Sequence, residues 1–148
     1  MGYDTPPLDD YVPTANIDTV IQLDLENRNI HDLTGIEDFE ELLYLDCWFN
    51  QLTSIDVRNN INLKFLHVSF NPLSSLNVKN NTNLIGLSCS NTQLTSLDIS
   101  RNTSLTNIGI NDIPTLCNVC VWVLPFPPDM VFVNTTGSPN IIFTIDCN

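Results

Sequence analysis

The chain has 148 residues and a formal net charge of −12 with only five basic residues, so a nucleic-acid backbone or an anionic membrane surface is a poor partner for it. Hydrophobic residues make up 43% and charged residues 15%, enough apolar side chain for a core and too little charge for a disordered chain, while no apolar run is long enough for a transmembrane helix. Asn and Leu dominate, Ala15 is the single alanine, and Lys and Glu are scarce; with Val, Ile and Thr in their place, a helical bundle is excluded.

Residues 1–16 read as an extended, Pro-rich N-terminal segment. Met1-Gly2-Tyr3-Asp4 has neither the basic nor the apolar region of a secretory leader, so the chain is expected to be cytoplasmic or the mature part of an exported protein. The acidity is concentrated early. Residues 1–50 carry twelve acidic residues and one basic residue, Arg28, whereas residues 51–148 carry five acidic and four basic. The simplest reading is a solvated capping surface; the other is a site for a cationic partner.

Residues 17–113 repeat. Leu42, Leu63, Leu84 and Leu105 are 21 residues apart, and Leu45, Leu66, Leu87 and Ile108 keep the same step, as do Cys47, Val68, Cys89 and Ile110. Ile55, Leu76 and Leu97 follow in register with Val57, Val78 and Ile99, and Val20–Leu25 with Ile30 forms a first unit of 22 residues. Segments such as Leu45-Asp46-Cys47 alternate apolar and polar residues at the period of a strand. One coil cannot bury its apolar edge alone, so coils stack and share a core. The unit reads L-x-x-L-x-(L/C/V)-x-x-N-x-L-x-x-(L/I)-x-(V/I) and resembles a leucine-rich repeat. The fold expected is a right-handed leucine-rich-repeat solenoid of about five coils, β-rich with little helix. One parallel sheet should line its concave face, with strands near 20–25, 44–47, 65–68, 86–89 and 107–110.

Asn50 and Asn71 repeat at the turn after the strand, where an inward amide can satisfy backbone groups; Thr92 and Ile113 then take that register. Asn60, Asn81 and Asn102 make a second ladder, and Asp56, Asn77 and Asp98 a third that caps a turn in the return half. The first coil, Leu33–Leu42, has the composition for one or two helical turns. From Pro114 the 21-residue spacing is lost, and residues 114–148 are expected to form a small β-rich C-terminal cap. Its strands are at Val119–Val123, Val131–Val133 and Ile141–Thr144, with Pro- and Gly-containing breaks between them.

Cys47 and Cys89 share one inward register two coils apart, roughly 9–10 Å by strand spacing, beyond the reach of a disulfide, and are expected to be buried thiols. Cys117, Cys120 and Cys147 lie in the cap. Cys117-Asn118-Val119-Cys120 is a lone C-x-x-C without a second ligand pair, so a cap disulfide to Cys147 is preferred to zinc, with Cys117 and Cys120 both open as its partner. A disulfide in turn implies an exported protein.

The unit Leu45-Asp46-Cys47 through Asn50-Gln51-Leu52-Thr53-Ser54-Ile55-Asp56-Val57, echoed at Leu87–Ile99, resembles the short leucine-rich repeats of Bacteroidota surface and secreted proteins. Leu33-Thr34-Gly35-Ile36-Glu37-Asp38-Phe39 is similar to their first repeat. The tail from Val119-Cys120-Val121-Trp122 through Phe143-Thr144 and Cys147 is similar to their C-terminal cap. The resemblance implies an exported binding or adhesion module and places the cap cysteine at Cys120, hence a Cys120–Cys147 disulfide with Cys117 free.

No nucleophile elbow, zinc-protease or phosphate-loop pattern occurs, and His31 and His67 lie in different coils, so no catalytic site, metal or cofactor is expected. The outward strand positions are the informative ones. Coil one offers Gln22, Asp24 and Glu26; coil two Tyr44, Asp46 and Trp48; coil three Phe65, His67 and Ser69. Coils four and five carry Gly86, Ser88, Ser90, Asn107, Gly109 and Asn111. Tyr44, Trp48, Phe65 and His67 are therefore expected to form one aromatic anchor with Asp24, Glu26 and Asp46 as its polar rim. Phe49 and Phe70 are expected to stack as core along the sheet edge. Residues 3–14 either leave the aromatic face open or fold over it. The expected function is a non-enzymatic, monomeric protein- or glycan-binding module, secreted or at the cell surface. The alternative is a structural spacer repeat with no ligand of its own.

Overall fold

A computed structural model describes Ile17 and residues 19–147; residues 1–16, Asp18 and Asn148 lie outside the described residues, and with them the expectation for residues 3–14. Strands β1 (Gln22–Asp24), β2 (Tyr44–Asp46), β3 (Phe65–His67) and β4 (Gly86–Ser88) are followed by β5 (Ser96–Asp98), β6 (Asn107–Gly109), β7 (Asn118–Cys120), β8 (Phe132–Asn134) and β9 (Ile142–Thr144). Two parallel sheets result, one in the order β1-β2-β3-β4-β6-β8 and one in the order β5-β7-β9.

In each three-residue strand of the large sheet the central residue points inward. Leu23, Leu45, Leu66, Leu87 and Ile108 pair in register across the large sheet, so they form one column, and all are buried. Each such side chain contributes about 1.5–3 kcal/mol by leaving water. Further columns stack beside it, among them Leu42, Leu63, Leu84 and Leu105, and Val57, Val78 and Ile99. The five expected strands fall where the repeat places them, trimmed to three residues each.

The second sheet, on the return side, is an addition to the sequence reading. So is the way the chain continues after Ile113. The segment keeps winding: Ile108 pairs with Val133, 133 − 108 = 25 residues on, and β8 becomes the sixth strand of the large sheet while β9 extends the small one. Trp122, Phe126 and Phe143 pack against the core at this end, with ring centroids 5.2 and 5.0 Å apart in sequence. The expected helical turn in the first coil is a single 3-10 turn, Ile36–Asp38, entered through Gly35 at φ +96°, a conformation that glycine adopts without strain.

Asparagine supplies the turns between strands with hydrogen bonds. Asn71 Nδ2 donates to the carbonyls of Cys47 (2.8 Å) and Val68 (3.1 Å), and its Oδ1 accepts from Leu52 N (2.9 Å). Asn50 does the same one coil earlier, donating to Leu25 and Cys47 and accepting from Arg28 and Ile30. Thr92 keeps one of these bonds, to the Cys89 carbonyl (2.8 Å). The sequence gives no hint of the last rung: Ser138 Oγ donates to Ile110 O (2.7 Å) and accepts from Ile113 N (2.8 Å). In the second ladder, Asn60, Asn81 and Asn102 each donate to two carbonyls of the preceding coil. In the third, Asp56, Asn77 and Asp98 each accept from the backbone N–H two residues on, which closes the turn.

Cys120 and Cys147 form a disulfide with Cα atoms 5.6 Å apart, and Cys117 is exposed and free. By chain-entropy arithmetic a loop of this length contributes about 3–4 kcal/mol. Cys47 and Cys89 are buried free thiols, and burial pushes both up to about 12, with Asp46 adding to the shift at Cys47. The thiolate is the reactive species. Iodoacetamide applied to the native, unreduced protein at about pH 8 is therefore expected to add one group, on Cys117. Peptide mapping that finds Cys47 or Cys89 labelled would mean that the coils open readily.

Candidate functional site

The in-register sheet arranges its outward residues in two rows. Gln22, Tyr44, Phe65, Gly86, Asn107 and Phe132 make one; Asp24, Asp46, His67, Ser88, Gly109 and Asn134 make the other. Strand spacing puts neighbours in each row about 4.8 Å apart.

Asp46 is the hub of the N-terminal half. Its Oδ2 accepts from the Tyr44 hydroxyl (3.1 Å) and lies 3.2 Å from His67 Nδ1, and its Oδ1 accepts from Trp48 N (2.9 Å). The Tyr44 ring meets His67 edge-on at 5.5 Å and Phe65 at 6.3 Å. Burial raises the Tyr44 hydroxyl above its ordinary value, reinforced by its bond to Asp46 and by the charges of Asp46, Asp24 and Glu26. At neutral pH it is a hydrogen-bond donor held by a carboxylate. Asp24 and Glu26 are exposed at the rim, with Asp24 Oδ1 accepting from Glu26 N (3.1 Å).

Beyond His67 the rows shrink to Gly86, Ser88 and Gly109 and then rise again at Asn107 and at Phe132, which is 74% exposed. The result is a groove of about 890 Å³ with Tyr44, Phe65 and His67 as one wall, the small residues as floor and Phe132 and Asn134 as the other wall. A side chain on this floor would displace its neighbours: a Cβ at Gly86 would stand 2.9 Å from Phe65 Cδ1 and push that ring aside, and one at Gly109 would stand 3.0 Å from Ser88 Oγ. Phe132 is the residue that sequence reasoning missed, because it lies past the end of the 21-residue spacing. Ser69 and Ser90, expected on the open face, are buried. They continue a hydrogen-bonded row from Ser88 Oγ to Ser69 Oγ (2.7 Å), Ser90 N to Ser69 Oγ (3.0 Å) and Ser90 Oγ to Asn111 Oδ1 (2.5 Å).

Two expectations about the aromatic residues need correction. Phe49 and Phe70 are not core: they are 51% and 41% exposed. Trp48, expected to join Tyr44, Phe65 and His67, packs instead on Phe49 (5.4 Å) and Phe70 (5.3 Å). Among the described residues no ring contact joins this trio to the Tyr44 group. The cause is the backbone. Phe49 and Phe70 have φ of +55° and +56°, which turns their side chains out of the alternation of the strand. Asn27, Asn91 and Asp112 adopt the same conformation at the same register, as short polar residues do readily. A phenylalanine there costs about 1–3 kcal/mol.

Asp98, Cys120 and Cys147 bring potential metal ligands within 4.8 Å of one another, but the two sulfurs are bonded to each other, which leaves one carboxylate. Asp98 already accepts from Lys79 Nζ (2.8 Å) and Ser100 Oγ (2.7 Å).

No family model and no curated protein matches the chain. Among solved structures it is similar to the functional domain of InlJ from Listeria monocytogenes, which includes a cysteine ladder, with 23% identity, a TM-score of 0.59, and coverage of 90% of this chain and 40% of that one. It is also similar to the internalin inlF from Listeria monocytogenes, with 19% identity, a TM-score of 0.63, and coverage of 89% of this chain and 49% of that one. The chain thus spans under half the length of each. Together with the stacked parallel strands, these likenesses establish the fold as a leucine-rich-repeat solenoid with almost no helix.

Proposed function

We propose that the chain is a non-enzymatic binding module that engages a protein or glycan partner through the outer face of its large sheet. The observation that carries this reading is the groove between Tyr44, Phe65 and His67 on one side and Phe132 on the other. It combines exposed rings, a donor hydroxyl, an imidazole and carboxylates on a rigid sheet, the composition expected of a recognition surface. Asp24, Glu26 and Asp46 bias its rim toward cationic groups or hydroxyls. The disulfide supports action outside the cytoplasm, at the cell surface or secreted, and the module is proposed to act there as a monomer. Kinship with the short-repeat proteins of Bacteroidota is part of the same proposal.

The test is a screen of extracellular proteins and a glycan array with the wild type, followed by affinity measurements on Phe65→Ala and Phe132→Ala. Phe132 is 74% exposed, so its loss should barely move the melting temperature; Phe65 is 36% exposed and packs over Gly86, so its loss should lower it modestly without unfolding the protein. Loss of an anchoring ring is expected to weaken the partner about 30-fold, the equivalent of about 2 kcal/mol. Unchanged affinity in both variants would remove the groove from consideration. A spacer without a ligand is the second reading, favoured by the Phe65 ring, which covers the bare backbone of Gly86. It predicts that neither screen retains a partner.

A further inference from the structure

We propose that Trp48, Phe49 and Phe70 form a second docking platform, beside the groove and sharing its acidic rim, for an arginine-bearing segment of a protein partner. Three rings stand 37–51% exposed on adjacent coils with centroids 5.3–6.1 Å apart. Two of them occupy left-handed backbone positions where the other coils carry Asn27, Asn91 and Asp112. The fold therefore does not ask for aromatic residues here; their backbone conformation disfavours them.

The spacing of the rings decides how a ligand could use them. At these distances they touch one another, which leaves no room for a cation between them, so they offer outer faces for stacking rather than a cage. The occupant follows from charge. Asn27 N donates to Trp48 O (2.9 Å), which sets Glu26 beside Trp48 in the neighbouring coil, and Asp24 lies on the same strand side, two residues earlier. Both carboxylates are exposed, and Arg28 is the single basic residue in the first fifty against twelve acidic ones. A guanidinium is planar, stacks on aromatic faces and pairs in a fork with carboxylates; an ammonium offers only the charge. Aromatic faces flanked by exposed acids thus suit arginine in particular. A hollow of about 250 Å³ lined by Asn27, Asn29 and Gln51 lies beside Phe49 and Phe70; Gln51 Nε2 donates to Asn29 Oδ1 there, which leaves Gln51 Oε1 and Asn29 Nδ2 for the backbone of the incoming segment.

The experiment measures fluorescence anisotropy of labelled nona-arginine and nona-lysine peptides at physiological salt. The proteins are the wild type, a Phe49→Asn/Phe70→Asn double variant, Trp48→Ala and Phe65→Ala. The double variant keeps every charge and places Asn in a conformation that Asn27 and Asn91 already adopt, so its melting temperature should hold or rise. Nona-arginine is expected to lose about fivefold or more in affinity in the double variant and in Trp48→Ala, and none in Phe65→Ala. Nona-lysine, bound by charge alone, should change less than about twofold in all three variants. Nona-arginine binding that survives both platform variants would overturn the proposal in favour of bulk charge. A loss confined to Phe65→Ala would move the peptide to the groove, and so would count against the platform but not against the groove. A glycan that binds the wild type and is lost in the double variant would overturn the choice of occupant.

Discussion

Leu66→Ala is expected to lower the unfolding free energy by about 2–5 kcal/mol in urea denaturation. Leu66 is fully buried at the middle of the large sheet, paired in register with Leu45 on one side and Leu87 on the other. Removing its side chain opens a cavity shared by three coils. In a solenoid each coil is held chiefly by its two neighbours, so a central lesion weakens both interfaces at once. The denaturant slope reports how the array responds: a preserved slope means the coils still unfold together, and a reduced one means the two halves separate. A stability change below about 0.5 kcal/mol would place Leu66 off the core and break the register described above.

Asn71→Ala is expected to be nearly as costly although it removes no apolar surface. The side chain donates to the Cys47, Val68 and Ser69 carbonyls and accepts from one N–H in a buried turn, and it is 2% exposed. Each buried group left without a partner costs about 1–3 kcal/mol, and a loss of about 2–4 kcal/mol overall is expected in the same assay. Asn71→Thr should recover part of it, because Thr92 holds the equivalent rung with a single bond to the Cys89 carbonyl. An alanine variant as stable as the wild type would show that the turn rehydrates freely, and the ladder would then not hold the coils together.

Much of this was readable in the residues because a fixed period converts one strand into five. Once Leu45 points inward, Leu66, Leu87 and Ile108 must as well, and Tyr44, Phe65 and His67 must point out. The reading failed where the period or the alternation stops. At Phe49 and Phe70 the strand has ended and φ has changed sign, so neighbours along the chain no longer say which way a side chain faces. Hydrophobicity pointed to the core and the backbone pointed to solvent. Trp48 went astray for the same reason, since its partners are those two rings. Phe132 and Ser138 escaped because the step lengthens after Ile113, which hides from simple counting both the second wall of the groove and the last rung of the ladder.

The asparagine rungs carry a consequence for how such a chain can change over time. Among the described residues the side chains of Asn71 and Asn81 bond only to their own coil and to the one before it. Copying or deleting one whole coil therefore leaves such bonds with an equivalent partner, while inserting a few residues within a coil breaks them. Growth of the chain is thereby quantised: it can lengthen by one strand at a time, and each new strand brings two outward positions that no rung constrains. Scaffold and surface are inherited separately, so a lineage can rewrite the face residue by residue without renegotiating the frame that displays it.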